Sequence, residues 1–117
     1  MRGIKFYVLV GFIALGVACF GAAGKKRFVI AESKSYEASL FRQNCAICHG
    51  TEAEGRVLDS GVRTPNLREG EFKYKTDAEI YRHISEGGNG MVPFRGQLTD
   101  REIKMMVDFV QTKLREK

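Results

Sequence analysis

One stripe of apolar residues near the end of the chain follows helical spacing closely. Its members lie three, four, seven and eleven positions after the first: Ile103, Met106, Val107, Val110 and Leu114. This spacing places them on one face of an amphipathic helix. Thr99 and Glu102 precede the stripe in the arrangement of a capping box. The pattern predicts a C-terminal helix with a buried face, and Phe109 flanks that face beside Met106.

A second helical pattern begins near Ser35. Ala38, Phe41 and Cys45 recur at positions i, i+3 and i+7, so they fall on one face. Gly50 follows this element and ends it. Packing of the C-terminal stripe against Ala38 and Phe41 would close a small core.

A third helix is predicted between the other two. Thr76 and Glu79 form another capping-box pattern, and Ile80 and Ile84 give the helix one apolar face. The glycine pair at positions 87 and 88 ends it. Three helices joined by long loops predict an all-α fold.

The beginning of the chain differs in composition from the rest. Residues 6–23 carry no charge and follow the basic residues Arg2 and Lys5. The run is long enough to span a bilayer as a helix, and the small residues at 21–23 are typical of a signal-peptide cleavage site. The sequence around Cys19 also resembles a bacterial lipobox, which would leave that cysteine lipidated. These three interpretations remain open.

Domain organisation and surface charge follow from the remaining residues. We assign residues 1–23 to a signal peptide or N-terminal membrane anchor, residues 24–34 to a linker and residues 35–117 to one small domain. The chain has 19 Lys and Arg against 14 Asp and Glu. Basic residues such as Arg63 and Arg68 are interleaved with acidic ones. This mixture indicates a solvated surface and argues against nucleic-acid binding.

The chemistry of the chain concentrates between Cys45 and His49. Two cysteines separated by two residues and followed at once by histidine form the C-x-x-C-H pattern of covalent haem attachment. Each thiol can add to a vinyl group on one edge of the porphyrin, and the imidazole then lies beneath the iron as a proximal ligand. A thioredoxin-like dithiol would lie in a βαβ pattern, which this sequence lacks. A zinc site needs four ligands, and only Cys19 and His83 remain.

Residues 50–71 predict a long loop, because they are rich in glycine and charged residues and show no periodicity. Loops of this length usually have a function, and wrapping a cofactor is one. A metal-ligating histidine generally donates its second ring N–H to a carbonyl or carboxylate. A carbonyl near Pro65 is the candidate acceptor for His49, and an ordinary proline turn is the alternative interpretation.

Met91 is the candidate second axial ligand. It lies in a glycine- and proline-containing loop after the third helix, where no helical periodicity explains it. A thioether is a soft, neutral ligand, and His/Met coordination raises the reduction potential of a haem. Met105 and Met106 lie on the C-terminal helix. We expect Met106 in the core and Met105 at the surface of the helix. His83 flanks the apolar face of the third helix, where we expect a surface residue.

Residues 35–115 resemble a monohaem class I cytochrome c. The order of helix, C-x-x-C-H motif, Pro-Asn-Leu loop, short helix, methionine and amphipathic C-terminal helix is similar to that of the family. The resemblance implies a cytochrome c-like fold, in which three main helices and long loops wrap one covalently attached haem c. It also implies thioether links at Cys45 and Cys48 and axial ligation by His49 and Met91.

Further site residues are implied by the same resemblance. The carbonyl of Pro65 would hold the His49 ring, and four apolar residues would line the haem: Leu67, Ile84, Phe94 and Leu98. Two positions depart from the family's pattern. Glu37 stands where glycine is common at the helix crossing, with Ala38 beside it, and Val92 separates Met91 from Pro93.

The expected function follows from the coordination. If the protein fills both axial positions, the iron has no open site for a substrate, and the haem is left with one-electron transfer. We therefore expect an exported electron carrier on the periplasmic side of the bacterial inner membrane, anchored or soluble, with redox proteins or membrane respiratory complexes as transient partners. One alternative is a haem domain or subunit of a larger oxidoreductase. Another is a peroxidase-type haem enzyme in which Met91 is labile.

Overall fold

The computed structural model describes residue 24 and residues 26–115. Its regular elements are all helical: α1 (Tyr36–Asn44), α2 (Ala46–His49), α3 (Asp77–Glu86), α4 (Asp100–Phe109) and a π-helical turn (Val110–Leu114) that continues α4. The described residues form isolated β-bridges but no strand. The all-α class predicted from the sequence is therefore confirmed.

The N-terminal segment 1–23, with Cys19 and the predicted signal or anchor, lies outside the described residues. In the part of the chain that the structure describes, none of the helices has the length and apolar character needed to cross a membrane.

The three main helices begin at the predicted capping residues, and each cap is formed by hydrogen bonds. The Ser35 hydroxyl accepts the Ala38 N–H at 3.3 Å and caps α1. Thr76 and Glu79 form a complete capping box at the start of α3, and Thr99 and Glu102 form another at the start of α4. Each box satisfies backbone N–H groups that a helix end would otherwise leave without partners.

The core lies where α4 crosses α1 and α3. All five members of the C-terminal stripe are buried, from Ile103 to Leu114, and so are Ala38 and Phe41. The centroids of the Phe41 and Phe109 rings are 5.9 Å apart. The predicted packing of the stripe against α1 is therefore present. Glu37, at the helix crossing, is half-buried.

Phe109, which flanks the apolar stripe beside Met106, is itself part of the core. It is only 2% exposed, because Phe28 covers its other side with an edge-to-face contact at 5.6 Å between ring centroids. Edge-to-face pairs of this kind are a favourable aromatic geometry. The N-terminal segment thus completes the aromatic cluster around α4.

The residues just before α1 also belong to the packed unit, although the sequence pattern assigned 24–34 to a linker. Ile30 is fully buried. The Glu52 carboxylate accepts the N–H groups of Ile30 and Ala31 at 2.9 and 2.8 Å. Because these bonds join the segment to the loop after α2, the folded unit begins several residues before Ser35.

The C-terminal helix ends in a π-helical turn rather than as one continuous α-helix. The Arg115 N–H donates to the Val110 carbonyl at 3.0 Å, which is an i to i+5 bond. The Arg115 guanidinium lies 3.9 Å from the centroid of the Phe72 ring and donates to the Tyr74 carbonyl at 2.9 Å. The end of the chain is thereby joined to the segment that leads into α3.

Candidate functional site

The C-x-x-C-H motif consists of Cys45, which joins α1 to α2, and the single helical turn of α2. Cys45 caps the end of α1, and its N–H donates to the Phe41 carbonyl at 2.8 Å. The His49 N–H donates to the Cys45 carbonyl at 2.9 Å. Cys45 is half-buried and Cys48 is exposed, and both are free thiols. The turn therefore brings the two thiols and the imidazole onto one short helical segment.

The Cys45 environment does not favour a redox-active dithiol. Burial, and to a smaller extent the neighbouring Cys48, raise the pKa of its thiol to about 12. Reactive dithiols instead have a cysteine whose pKa is lowered by nearby positive charge or a helix N-terminus. Among the described residues, no group of three or more His, Cys, Asp or Glu side chains is placed to hold a metal ion.

His49 is half-buried, and its burial favours the neutral imidazole. Burial lowers the pKa of its imidazole, the Pro65 carbonyl raises it and His83 lowers it. The Nδ1 atom is buried and has no hydrogen bond of normal geometry. The Pro65 carbonyl is thus close enough to act on the ring, although Nδ1 itself has no hydrogen-bond partner among the described residues. A neutral imidazole with one nitrogen facing a carbonyl is suited to ligating a metal through the other nitrogen.

Thr64 holds the Pro65 segment against the motif, a role that the sequence analysis missed. Its hydroxyl donates to the Cys48 carbonyl at 2.7 Å and accepts the Arg56 N–H at 2.9 Å. Gly55 allows the two segments to approach: its φ is 77°, and a Cβ there would lie 2.7 Å from the Thr64 carbonyl oxygen. A threonine before a proline was the only signal in the sequence.

Arg68 is buried, which corrects its assignment to a solvated, mixed-charge surface. Its guanidinium pairs with the Glu52 carboxylate at 3.0 Å, and the arginine side chain is 3% exposed. The same carboxylate accepts the Ile30 and Ala31 N–H groups. Leu67, beside Arg68, is half-buried against the core. Arg68 can be buried because the Glu52 carboxylate pairs with its charge while also accepting the two backbone N–H groups.

Met91 closes a tight turn after α3. The N–H and carbonyl of Gly88 bond to the carbonyl and N–H of Met91, at 2.9 and 3.0 Å. Asn89 and Gly90 between them have φ values of 51° and 86°, as a two-residue hairpin turn of the primed type requires. A Cβ at Gly87 would lie 2.5 Å from the Met91 carbonyl oxygen. Met91 itself is half-buried and packs against the core.

The predicted lining residues lie in or against one hydrophobic core. Phe94 and Leu98 are buried, and Ile84 packs against the core from α3. The Phe94 N–H donates to the Ile84 carbonyl at 3.0 Å, which fixes the segment after Met91 to the end of α3. Pro93 is exposed, as is Val92 before it. The contacts of the buried residues with a haem stay predictions.

His83 is partly covered where it lies on α3, rather than freely exposed. It is half-buried, because the Tyr74 ring stacks on it at 4.3 Å between centroids with an interplanar angle of 31°. Burial is the main cause that lowers the pKa of its imidazole. Of the other methionines, Met106 is buried in the core and Met105 is half-buried at the surface of α4.

Comparisons with known proteins agree with this geometry. The family model for cytochrome c oxidase, cbb3-type, subunit III matches residues 37–110. The chain is 33% identical over 86 residues to the cbb3-type cytochrome c oxidase subunit FixP of Sinorhizobium medicae (strain WSM419), covering 64% of this chain and 28% of that protein. It is 27% identical over 120 residues to the subunit CcoP of Azospirillum brasilense, covering 86% of this chain and 41% of that protein.

A solved structure is similar as well. The KustC0563 c-type cytochrome superposes with a TM-score of 0.55 at 31% identity, over 62% of this chain and 90% of that one. The chain spans between about a quarter and two fifths of the length of the curated relatives it matches. Since the family model covers more than half of the residues, the chain belongs to the family of cbb3-type cytochrome c oxidase subunit III, a family of c-type cytochromes similar to the monohaem class I cytochromes c.

Proposed function

We propose that this chain transfers single electrons on one haem c, attached through Cys45 and Cys48 and ligated by His49 and Met91. The observation that carries the proposal is the His49 imidazole. It follows two free thiols on the same short helical segment, its Nδ1 is buried without a hydrogen-bond partner among the described residues, and the Pro65 carbonyl acts to raise its pKa. Histidines that ligate metals commonly hold their second nitrogen against such an acceptor.

The residues present fit a covalently held haem. When bound, that group supplies one-electron redox chemistry. The high pKa of Cys45 keeps its thiol protonated and uncommitted to other chemistry at neutral pH, and the lowered pKa of His49 leaves a nitrogen lone pair free. The buried Phe94 and Leu98 belong to the hydrophobic core against which Cys45 and Met91 pack.

The second ligand decides between a carrier and an enzyme. Met91 lies in a turn that requires glycine at position 87, because a Cβ there would clash with the Met91 carbonyl oxygen. Its thioether would fill the remaining axial position and raise the reduction potential. With both positions filled by His49 and Met91, no substrate binds at the iron. Electron transfer therefore accounts for the site better than peroxidase chemistry does.

The comparisons favour a role within a larger complex over that of a free carrier. The curated relatives are named as subunits of cbb3-type cytochrome c oxidases. We therefore assign this chain to electron delivery in a membrane-bound respiratory oxidase, on the periplasmic side of the inner membrane. Attachment would occur through residues 6–23 or a lipidated Cys19, and the alternative is a diffusing carrier that meets such a complex transiently.

Electron exchange with oxidase-containing membranes tests this function. The full-length, haem-loaded chain should be reduced by a quinol-oxidising membrane fraction and reoxidised by the oxidase. A subunit should co-purify with the oxidase and exchange electrons at a rate independent of its bulk concentration. A free carrier should show a second-order rate that falls with salt, because small redox interfaces rely on electrostatic encounter. Peroxide turnover without electron exchange would contradict both versions.

Covalent attachment is tested separately by extraction. Haem should stay with the polypeptide in acidic, denaturing solvent, since two thioether bonds hold it. Cys45→Ser or Cys48→Ser should leave a single link or prevent maturation, and Cys19→Ser should not affect attachment. Free extraction of haem from the unmodified protein would show that the covalent assignment is wrong.

A further inference from the structure

The turn that carries Met91 is held to the rest of the protein by one side-chain hydrogen bond. The Asn89 amide donates to the Tyr74 hydroxyl at 2.8 Å. Among the hydrogen bonds of the described residues, no other side chain between positions 87 and 92 takes part in one. Besides the backbone bonds and the packing of Met91 against the core, the position of the turn therefore depends on where the Tyr74 hydroxyl lies.

Tyr74 is itself fixed by its surroundings. Its ring stacks on His83 of α3, and the Lys73 ammonium lies 5.5 Å from the ring centroid. Its carbonyl accepts a hydrogen bond from Arg115 at the end of the C-terminal helix. The phenol is thus oriented by groups from α3 and from the chain terminus, and it presents its hydroxyl to a turn that is otherwise rich in glycine.

We propose that Tyr74 is a positioning residue for the axial methionine, and that its hydrogen bond to Asn89 limits how readily Met91 leaves the iron. Asn89 is two residues before Met91 and has a left-handed backbone with φ of 51°, and its side-chain amide reaches the Tyr74 hydroxyl. Breaking the Tyr74 bond would let the glycine-rich turn move as a unit and carry the thioether with it. This inference rests on the proposed ligation by Met91.

The test is displacement of the methionine by imidazole in the oxidised, haem-loaded protein. The readout is the imidazole concentration that abolishes half of the near-infrared sulfur-to-iron band. Tyr74→Phe keeps the ring that stacks on His83 and removes only the hydroxyl. We expect this midpoint to fall about two- to fivefold, the lower part of the range for one hydrogen bond, because Asn89 is exposed. Tyr36→Phe, which removes a tyrosine hydroxyl bonded to Glu102 elsewhere, should leave the midpoint unchanged.

A double-mutant cycle separates the hydrogen bond from general destabilisation. Asn89→Gly removes the amide and tolerates the positive φ. Its effect should not add to that of Tyr74→Phe, because both delete the same bond. Fully additive effects, or an unchanged midpoint in Tyr74→Phe, would overturn the proposal. Absence of the band from the unmodified protein would instead contradict the ligation by Met91, so the two failures are distinguishable.

Discussion

The Thr64 hydroxyl donates a hydrogen bond of 2.7 Å to the carbonyl oxygen of Cys48, within the C-x-x-C-H turn. It joins two segments sixteen residues apart, the turn that carries His49 and the loop that carries Pro65. The same hydroxyl accepts the Arg56 N–H at 2.9 Å. One threonine side chain thereby fixes the Pro65 carbonyl beside the His49 ring.

Thr64→Val should weaken both the fold and the setting of the imidazole. The variant leaves the Cys48 carbonyl and the Arg56 N–H without this partner, so we expect a loss of about 1 to 2 kcal/mol in the free energy of unfolding, measured in denaturant. A less well-held Pro65 carbonyl would make the imidazole less basic. The reduction potential of the haem-loaded protein should therefore rise.

Thr112→Val is the matched control for Thr64→Val. The Thr112 hydroxyl also donates to a backbone carbonyl, that of Asp108 at 2.9 Å, but on the exposed side of the C-terminal helix. It should lower stability less and leave the reduction potential unchanged. Equal potentials for the two variants would show that Thr64 does not position His49.

Arg68 and Arg27 form ion pairs that differ mainly in burial. The Arg68 side chain is 3% exposed and its partner Glu52 is 35% exposed, whereas Arg27 and Glu69 are 56% and 67% exposed. Arg68→Met should cost about 2 kcal/mol of stability, below the range for fully buried pairs because water still reaches Glu52.

Arg27→Gln should cost less than about 0.5 kcal/mol, since exposed ion pairs contribute little. Urea unfolding of the two haem-loaded variants, compared with the unmodified protein, measures both values. Similar losses of stability in Arg68→Met and Arg27→Gln would mean that the buried Arg68–Glu52 ion pair stabilises the protein no more than an exposed pair does.

Features that depend on residues close together in the chain were predictable from the sequence, whereas contacts between distant residues were not. The stripe from Ile103 to Leu114 and the capping boxes were predictable, because helical spacing and caps depend on residues within a few positions of one another. The burial of Arg68 was not, since it depends on Glu52 sixteen residues earlier. The stacking of His83 depends likewise on Tyr74, outside its own helix.

The packing of the segment before α1 was also not predictable, because it depends on distant residues. The apolar island at Phe28 to Ile30 reads as part of a linker when only its neighbours are considered. Its packing depends on partners far along the chain: Phe28 contacts Phe109, and the Ile30 N–H donates to Glu52. Patterns within the sequence predicted the C-x-x-C-H turn and the loop that carries Met91, but not the contacts that hold each in place.

Glu102 should give the fold a distinctive dependence on acid pH. Its carboxylate accepts bonds from the Tyr36 hydroxyl at 2.6 Å and from the Thr99 hydroxyl and N–H at 2.7 Å. These hydrogen bonds lower the pKa of Glu102 from 4.5 to about 2, and the bond from Tyr36 has the largest effect. A lowered pKa in the folded state stabilises the protein above pH 4.5, and that contribution is lost as the pH falls towards 2.

Glu102→Gln removes the titrating group, so the thermal midpoint should fall less steeply between pH 4.5 and 2 than in the unmodified protein. Tyr36→Phe deletes the largest cause of the lowered pKa and should reduce the steepness in part. Thermal unfolding at a series of pH values measures both effects. An unchanged slope in Glu102→Gln would show that other carboxylates govern the acid transition.

Met91→Ala should convert a closed haem site into an open one. The oxidised variant should lack the sulfur-to-iron band, and the reduced variant should bind carbon monoxide, because no other described side chain in the turn from position 87 to 92 supplies a thioether or imidazole. The reduction potential should fall, since His/Met coordination raises it. Spectra and redox titration of the haem-loaded variant measure all three.

Two further substitutions decide whether Met91 is the ligand or merely a neighbour of it. Met105→Ala removes a half-buried thioether from the surface of α4, and His83→Ala removes the other imidazole of the chain, which stacks on Tyr74. Both should keep the band and exclude carbon monoxide. A band retained in Met91→Ala but lost in His83→Ala or Met105→Ala would transfer the ligand role to that residue. The electron-carrier proposal would then need a different second axial ligand from the one in this turn.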